Sequence, residues 1–255
     1  MKNTAFFLLL FMFSSLTIAD PVIVAHRMGA MERDENTLEA LKECAALGMK
    51  AFETDIHITK DDQLIVTHDG SLKRRCGSEV NVEEMTLEEI RQYKTKEGNP
   101  LPTLREILRF LKGKGIAMQL EIKSPPKLER LKKLVEVMVR ELKEEEFTGD
   151  DLLVISFVPE ALKLTREAED GIKTGLLCSV GDDKAIKLAK ENGCSWISAD
   201  ISNATKNFVD KAHKEGFKLA LWTIRNKRDN NLARAFEVEA IVTDIPKTLT
   251  EAEKK

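Results

Sequence analysis

Several features that would specialise a protein are missing from this chain of 255 residues. Cysteine is sparse: Cys44, Cys76, Cys178 and Cys194 are scattered, and no Cys-x-x-Cys pair occurs. That spacing excludes a zinc finger or ribbon and supplies no disulfide framework. The thiols read as small buried or partly exposed side chains, with a Cys178–Cys194 bridge left open. Basic residues are not in excess. Forty Lys and Arg stand against 43 Asp and Glu, so neither nucleic acid nor another polyanion is the expected partner. A small anion stays compatible, because a local cluster of cations can bind it against a mildly negative background. No glycine-rich phosphate or dinucleotide loop follows the first predicted strand, and no internal repeat or low-complexity stretch occurs. Beyond the first twenty residues, no apolar run is long enough to cross a bilayer.

What is present begins with a leader. Lys2 is followed by the apolar run Ala5 to Phe13 and then by Ser14-Ser15-Leu16-Thr17-Ile18-Ala19. Thr17 and Ala19 are small enough to precede a signal-peptidase cut, so residues 1–19 are predicted to be a secretory signal cleaved near Ala19. An uncleaved anchor is the alternative, but the stretch is short for a span of about 20 residues. No cysteine follows at which a lipoprotein could form. Residues 20–255 are predicted to be one soluble domain, secreted or periplasmic, with no stable membrane span once the signal is removed. Its oligomeric state is open.

Short apolar runs then alternate with longer amphipathic ones. Strands are predicted at Val22–Ala25, Ala51–Ile58, Ile116–Ile122, Leu152–Ser156, Ile172–Cys178, Trp196–Ser198, Leu219–Trp222 and Ala240–Thr243. Helical patterns lie between them. In 127–145, Leu128, Leu131, Leu134, Val135 and Met138 share one face, with Lys and Glu on the other. Eight strands with intervening helices predict a (β/α)8 TIM barrel, with an open doubly wound sheet as the runner-up. Leu64-Ile65-Val66-Thr67 is a further strand-like run that has no place among eight barrel strands. Leu64–His68 is therefore expected in an elongated loop, leading into a polar inserted segment of about residues 69–99 after the second strand.

The chemistry gathers at predicted strand ends. Side chains alternate along a strand, so Glu53 and Asp55 share a side, as do Glu121 and Lys123. Three converging carboxylates repel one another unless a cation lies among them, and an all-oxygen set suits one divalent cation, Mg²⁺ or Ca²⁺. The plainer alternative is that these acids pair with Arg27 and Lys123 in a structural network. Arg27 and Lys123 are otherwise suited to a phosphate ester. His26 and His68, two of only four histidines, can move protons near neutral pH. His57 is expected at the polar rim and His213 on a solvent-facing helix. Trp222 is expected to floor the pocket. The set points to a metal-assisted phosphodiesterase.

These residues resemble the glycerophosphodiester phosphodiesterase family over nearly all of the chain beyond the leader. His26-Arg27 and Glu35-Asn36-Thr37 keep the family's opening motif and spacing. The series continues in order with 53–61, Val66-Thr67-His68-Asp69, Pro102-Thr103-Leu104, Leu120-Glu121-Ile122-Lys123, Ser156-Phe157, Leu221-Trp222-Thr223 and Thr243-Asp244-Ile245-Pro246. The resemblance implies a TIM barrel with an insertion after its second strand. It also implies Glu53, Asp55 and Glu121 as metal ligands, His26 and His68 as the acid–base pair, and Arg27 and Lys123 as phosphate contacts. The implied reaction releases sn-glycerol 3-phosphate and an alcohol from a small glycerophosphodiester. A lysophospholipase D or sphingomyelinase D-like activity on lipid substrates is the second reading, and a non-catalytic phosphodiester-binding protein the third. Departures from the family pattern are Met28 for glycine, Asp34 for proline, Arg225 where asparagine is frequent, and Glu239-Ala240 for Asp-Gly. Met28 and Arg225 are expected close to the pocket, where they bear on substrate choice.

Overall fold

Ala51–Ile58 carries Glu53, Thr54, Asp55 and His57 among apolar side chains, yet all eight residues are buried, as a strand covered on both faces requires. This strand anchors the architecture seen in a computed structural model, which describes residues 20–123, 125 and 127–253. The predicted leader, residues 1–19, lies outside the described residues. Among those described, the strands are β1 (Val22–Ala25), β2 (Ala51–Ile58), β3 (Leu64–Val66), β4 (Ala117–Ile122), β5 (Leu152–Ser156), β6 (Lys173–Cys178), β7 (Trp196–Asp200), β8 (Lys218–Ile224) and β9 (Ala240–Thr243). All but β3 pair in parallel, and β1 bonds to both β2 and β9, closing an eight-stranded barrel. The open-sheet alternative is thereby excluded. The sequence reading and the structure agree on each barrel strand to within two residues at either end.

Helices join the strands: α1 (Leu38–Ala46), α2 (Lys73–Cys76), α3 (Leu87–Ile90), α4 (Leu104–Leu111), α5 (Leu128–Glu144), α6 (Pro159–Ala168), α7 (Asp183–Glu191), α8 (Lys206–Lys214), α9 (Lys227–Ala235) and α10 (Pro246–Glu253). Their starts are chemically marked. Thr37 caps α1 by accepting from the Ala40 amide, and Thr103 and Glu106 form a reciprocal capping box at α4. The apolar face of α5 packs Leu131, Leu134, Val135 and Met138 against Phe52, Met118 and Leu120 of the barrel wall. Leu128, predicted on that face, is instead half exposed at the first turn. Inside the barrel, Val24, Ala51, Ala220, Ala240 and Val242 fill one layer, and Leu153, Ile155 and Leu177 another.

One expectation is corrected. Leu64–Val66 is not loop but strand β3, antiparallel to the far end of β2, with Ile58 opposite Leu64 and Ile56 opposite Val66. Asp61 and Asp62 turn the chain, and Asp62 adopts φ 60°. The hairpin stands outside the barrel count, so eight strands still close the ring. Nor is the insertion merely polar. Leu72, Val82 and Ile90 are buried against Ile65 and Leu101, a small core that holds residues 69–99 beside the barrel mouth. No helix among the described residues is long and apolar enough to cross a membrane.

Candidate active site

The mouth of the barrel holds a cavity of about 260 Å³, lined by residues that include His26, Arg27, Glu53, His68, Glu121, Lys123 and Trp222. β1 delivers the first of these. After Ala25 the chain turns through Arg27 (φ 48°), Met28 (φ 64°) and Gly29 (φ 97°). Such conformations are unfavourable for residues bearing a Cβ. The turn directs the Arg27 amide to Glu53 Oε2 at 2.9 Å. It also sends the Met28 side chain into the core, fully buried, while the Cys44 thiol donates to the Met28 carbonyl. Met28 thus does not line the pocket, contrary to the sequence expectation.

β2 and β4 deliver the acids. Asp55 lies opposite Glu121 in the ladder, which brings the two carboxylates together, and Glu53 is one side chain further down the same face. Oxygens of Glu53, Asp55 and Glu121 lie within 4.8 Å of one another, and all three residues are buried. Lys123 Nζ donates to Glu121 Oε1 at 2.5 Å and pairs with Asp55 Oδ1 at 2.8 Å. One lysine does not neutralise the cluster. Burial together with the charges of Asp55 and Glu121 pushes the Glu53 carboxyl well above its ordinary range. Glu121 is pushed up to about 7 by burial and by Asp55, against the pull of Lys123. Burial also acts on Asp55, but Lys123, His68 and Arg27 outweigh it and hold that carboxyl below its usual range. Glu53 Oε1 is buried without any hydrogen-bond partner. A hard divalent cation fits this donor set: three close carboxylates, one orphaned oxygen and an unfavourable concentration of negative charge.

Each pocket histidine is backed by an aspartate and an arginine. His26 Nδ1 donates to Asp244 Oδ1 at 2.5 Å, and Arg225 Nε donates to Asp244 Oδ2 at 2.7 Å. His68 Nδ1 donates to Asp69 Oδ1 at 2.7 Å, and Arg74 Nε donates to Asp69 Oδ2 at 2.6 Å. These bonds fix each ring and leave Nε2 as the other proton-carrying position. Arg74 also donates to Glu35 Oε1 at 2.6 Å, and Glu35 Oε2 lies 3.7 Å from Arg27. Asn36 donates to Asp55 Oδ2 at 2.8 Å. His68 is shifted down by burial and by the charges of Lys123 and Arg27, against the opposite pull of Asp55.

The opposite half of the pocket is apolar. Phe157 meets Trp222 edge-on, with ring centres 5.7 Å apart, beside Ile155 and Leu177. Trp222 lines the pocket and donates to the Ser198 carbonyl at 3.0 Å, which fixes its ring. Gln119 and Ser198 belong to the cavity lining, and their buried Oε1 and Oγ have no hydrogen-bond partner among the described residues.

Of the proposed catalytic, metal and phosphate residues, His26, Arg27, Glu53, His68, Glu121, Lys123 and Trp222 line the cavity, and Asp55 lies behind them against Lys123, Glu53 and Glu121. His57 does not line it. Its Nδ1 donates to Glu83 Oε1 at 2.8 Å and its Nε2 faces the His68 carbonyl, so it ties the insertion to β2. His213 is half-buried and pairs with Glu239 at 3.2 Å rather than simply facing solvent. Cys178 and Cys194 are free thiols. Sequence reasoning left Asp244, Asp69, Arg74, Glu35, Phe157 and Gln119 without roles. Five of the six stood inside or just beyond motifs already noted, but nothing local reveals what each one faces.

Residues 26–248 match the model of the glycerophosphoryl diester phosphodiesterase family. A glycerophosphodiester phosphodiesterase of Caldanaerobacter subterraneus is 29% identical over 241 residues, spanning 92% of this chain and 98% of that one. A human lysophospholipase D is 31% identical over 131 residues, 46% of this chain and 42% of that one. An Oleispira antarctica phosphodiesterase, solved in complex with the product sn-glycerol-3-phosphate, superposes with a TM-score of 0.85 at 23% identity, covering 92% of this chain and 97% of that one. The chain belongs to the glycerophosphoryl diester phosphodiesterase family.

Proposed function

We propose that this chain hydrolyses a glycerophosphodiester to sn-glycerol 3-phosphate and an alcohol, with a divalent cation and with His26 and His68 as the proton carriers. The observation that carries this reading is a single cavity uniting a buried three-carboxylate cluster with two aspartate-backed histidines. The product complex of the Oleispira antarctica protein supports the glycerol 3-phosphate side of the assignment.

Glu53, Asp55 and Glu121 would hold Mg²⁺ or Ca²⁺, which when bound supplies positive charge that polarises the phosphoryl group. Arg27 and Lys123 neutralise charge that grows on the non-bridging oxygens. One histidine takes a proton from the attacking oxygen and the other gives one to the departing alcohol, so the pair begins in opposite protonation states. Asp244 and Asp69 hold Nδ1 of each ring, so transfer occurs at Nε2. The attacking oxygen belongs to water or to the substrate's own glycerol hydroxyl. The second route passes through a cyclic phosphate, which phosphorus NMR during turnover distinguishes.

A second reading, lysophospholipase D activity, rests on the human relative and on apolar side chains at the mouth. Phe157, Val180 and Leu128, each 44–53% exposed, follow β5, β6 and β4 at the end where the site lies. One assay separates the two readings. The purified protein is given glycerophosphocholine, glycerophosphoethanolamine or lysophosphatidylcholine, with Mg²⁺, with Ca²⁺ or with chelator. Release of glycerol 3-phosphate from the first two, silenced by chelator, is expected. Choline release from the lysolipid alone would replace the first reading with the second, and release of nothing would remove both. We also place the protein outside the cytoplasm, as a secreted or periplasmic enzyme, on the strength of residues 1–19. Mass spectrometry of exported protein should give an N-terminus near Asp20.

A further inference from the structure

The cations around the cavity are not equivalent. Lys123 is held between Asp55 and Glu121, and Arg27 lies 3.7 Å from Glu35 and 3.9 Å from Asp55. Both stand over β1, β2 and β4, on the acidic half. Arg225 enters from the other side, just beyond β8, next to the wall formed by Phe157 and Trp222. Its Nε is taken by Asp244, whose side chain is 5% exposed, while the Arg225 side chain is 58% exposed. That single bond restricts the guanidinium. Among the described residues its two terminal nitrogens have no hydrogen bond or ion pair, and Arg225 lines the cavity.

The charge balance says what such a group is for. A phosphodiester carries one negative charge, and Arg27 and Lys123 already oppose it on the acidic half. Asp244 largely offsets the charge of Arg225, but the terminal N–H groups remain donors: a neutral alcohol offers them only a weak acceptor, and an ammonium offers none. They are matched when the alcohol carries an anion of its own, because a planar guanidinium with free terminal nitrogens binds a carboxylate or phosphate through two parallel bonds. Resting on the phosphodiesterase reading, we infer that Arg225 is a specificity-determining residue that selects glycerophosphodiesters whose alcohol bears a carboxylate or phosphate.

Glycerophosphoserine and glycerophosphoethanolamine make the test, because they differ only by one carboxylate on the head group. The readout is the ratio of their kcat/KM values on one protein preparation, which cancels any loss of active fraction or any common effect through Asp244 and His26. The wild type is expected to favour the serine diester by roughly twofold to fivefold, the range of a partly exposed charge pair. Arg225→Gln should bring the ratio near one, Arg225→Glu should invert it, and Arg225→Lys should keep its sign. A wild-type ratio at or below one overturns the inference. So does a ratio that stays fixed in Arg225→Gln while both rates fall, since Arg225 would then act only on the scissile phosphate or on His26. Failure of the wild type to hydrolyse either diester is a different result, and it overturns the phosphodiesterase reading itself.

Discussion

His26 donates to Asp244 at 2.5 Å although 218 positions separate them along the chain. β1 and β9 are neighbours in the closed barrel, and Ala25 opposite Thr243 puts the two following residues side by side. Asp244 holds the ring in the tautomer that leaves Nε2 for chemistry. Asp244→Asn should therefore lower kcat by about 10²–10⁴-fold while KM moves only a few-fold, the signature of a misoriented proton carrier. Steady-state kinetics beside a melting curve would check this. A variant with near-normal kcat would show that the Asp244 carboxylate is not needed to position His26.

Metal and pH should act together. Glu121, lifted to about 7 by burial and Asp55, is protonated more readily folded than unfolded. A carboxyl raised in this way favours the metal-free fold at low pH and loses that contribution as pH rises through the folded value. The metal-free protein should thus lose about 1 kcal/mol of stability between pH 6 and pH 8 from this group. Bound metal needs the deprotonated carboxylates, so the gain in Tm on adding Mg²⁺ or Ca²⁺ should be larger at pH 8 than at pH 6. An equal or smaller gain at pH 8 contradicts the assignment of ligands.

His57 gives a graded test of the insertion. His57→Ala removes the bond to Glu83 and the support under the His68 carbonyl. A loss of about 1–3 kcal/mol in urea unfolding is expected. Activity should fall, but less than in His68→Ala, which removes a proton carrier outright. Equal losses in the two variants would make His57 part of the chemistry.

Asp34 and Arg75 form a buried pair at 2.8 Å, with Thr95 and Asn99 also bonded to Asp34. Asp34 stands where the family usually has proline, and its carboxylate ties the loop after β1 to the insertion. Arg75→Met should cost about 3–5 kcal/mol, because the Asp34 carboxylate loses its counter-ion and keeps only the neutral donors Thr95 and Asn99. Arg75→Met combined with Asp34→Asn should recover part of that loss, measured as a double-mutant cycle by urea unfolding.

The four thiols should react with a chromogenic disulfide in denaturant without prior reduction, since all four are free. In the native state at pH 8, Cys178 should react slowly, its thiol pushed up to about 12 by burial and the nearby Asp182 and Asp200. Fewer than four equivalents in denaturant would indicate a bridge.

By itself the sequence determined the element order, the barrel and the inward acids, because period-two and period-3.6 patterns encode locally which face of a strand or helix is buried. Glu53 and Asp55 were readable as a pair for that reason, and so were the capping residues of α1 and α4. The tertiary structure alone decided which residues meet. Barrel closure put Asp244 behind His26 and beside Arg225, the β2–β3 hairpin with its small core put Arg74 behind Asp69, and the left-handed turn at Arg27 and Met28 buried the methionine. Those pairings depend on distances between segments far apart in the chain, and no local pattern of polarity carries that information.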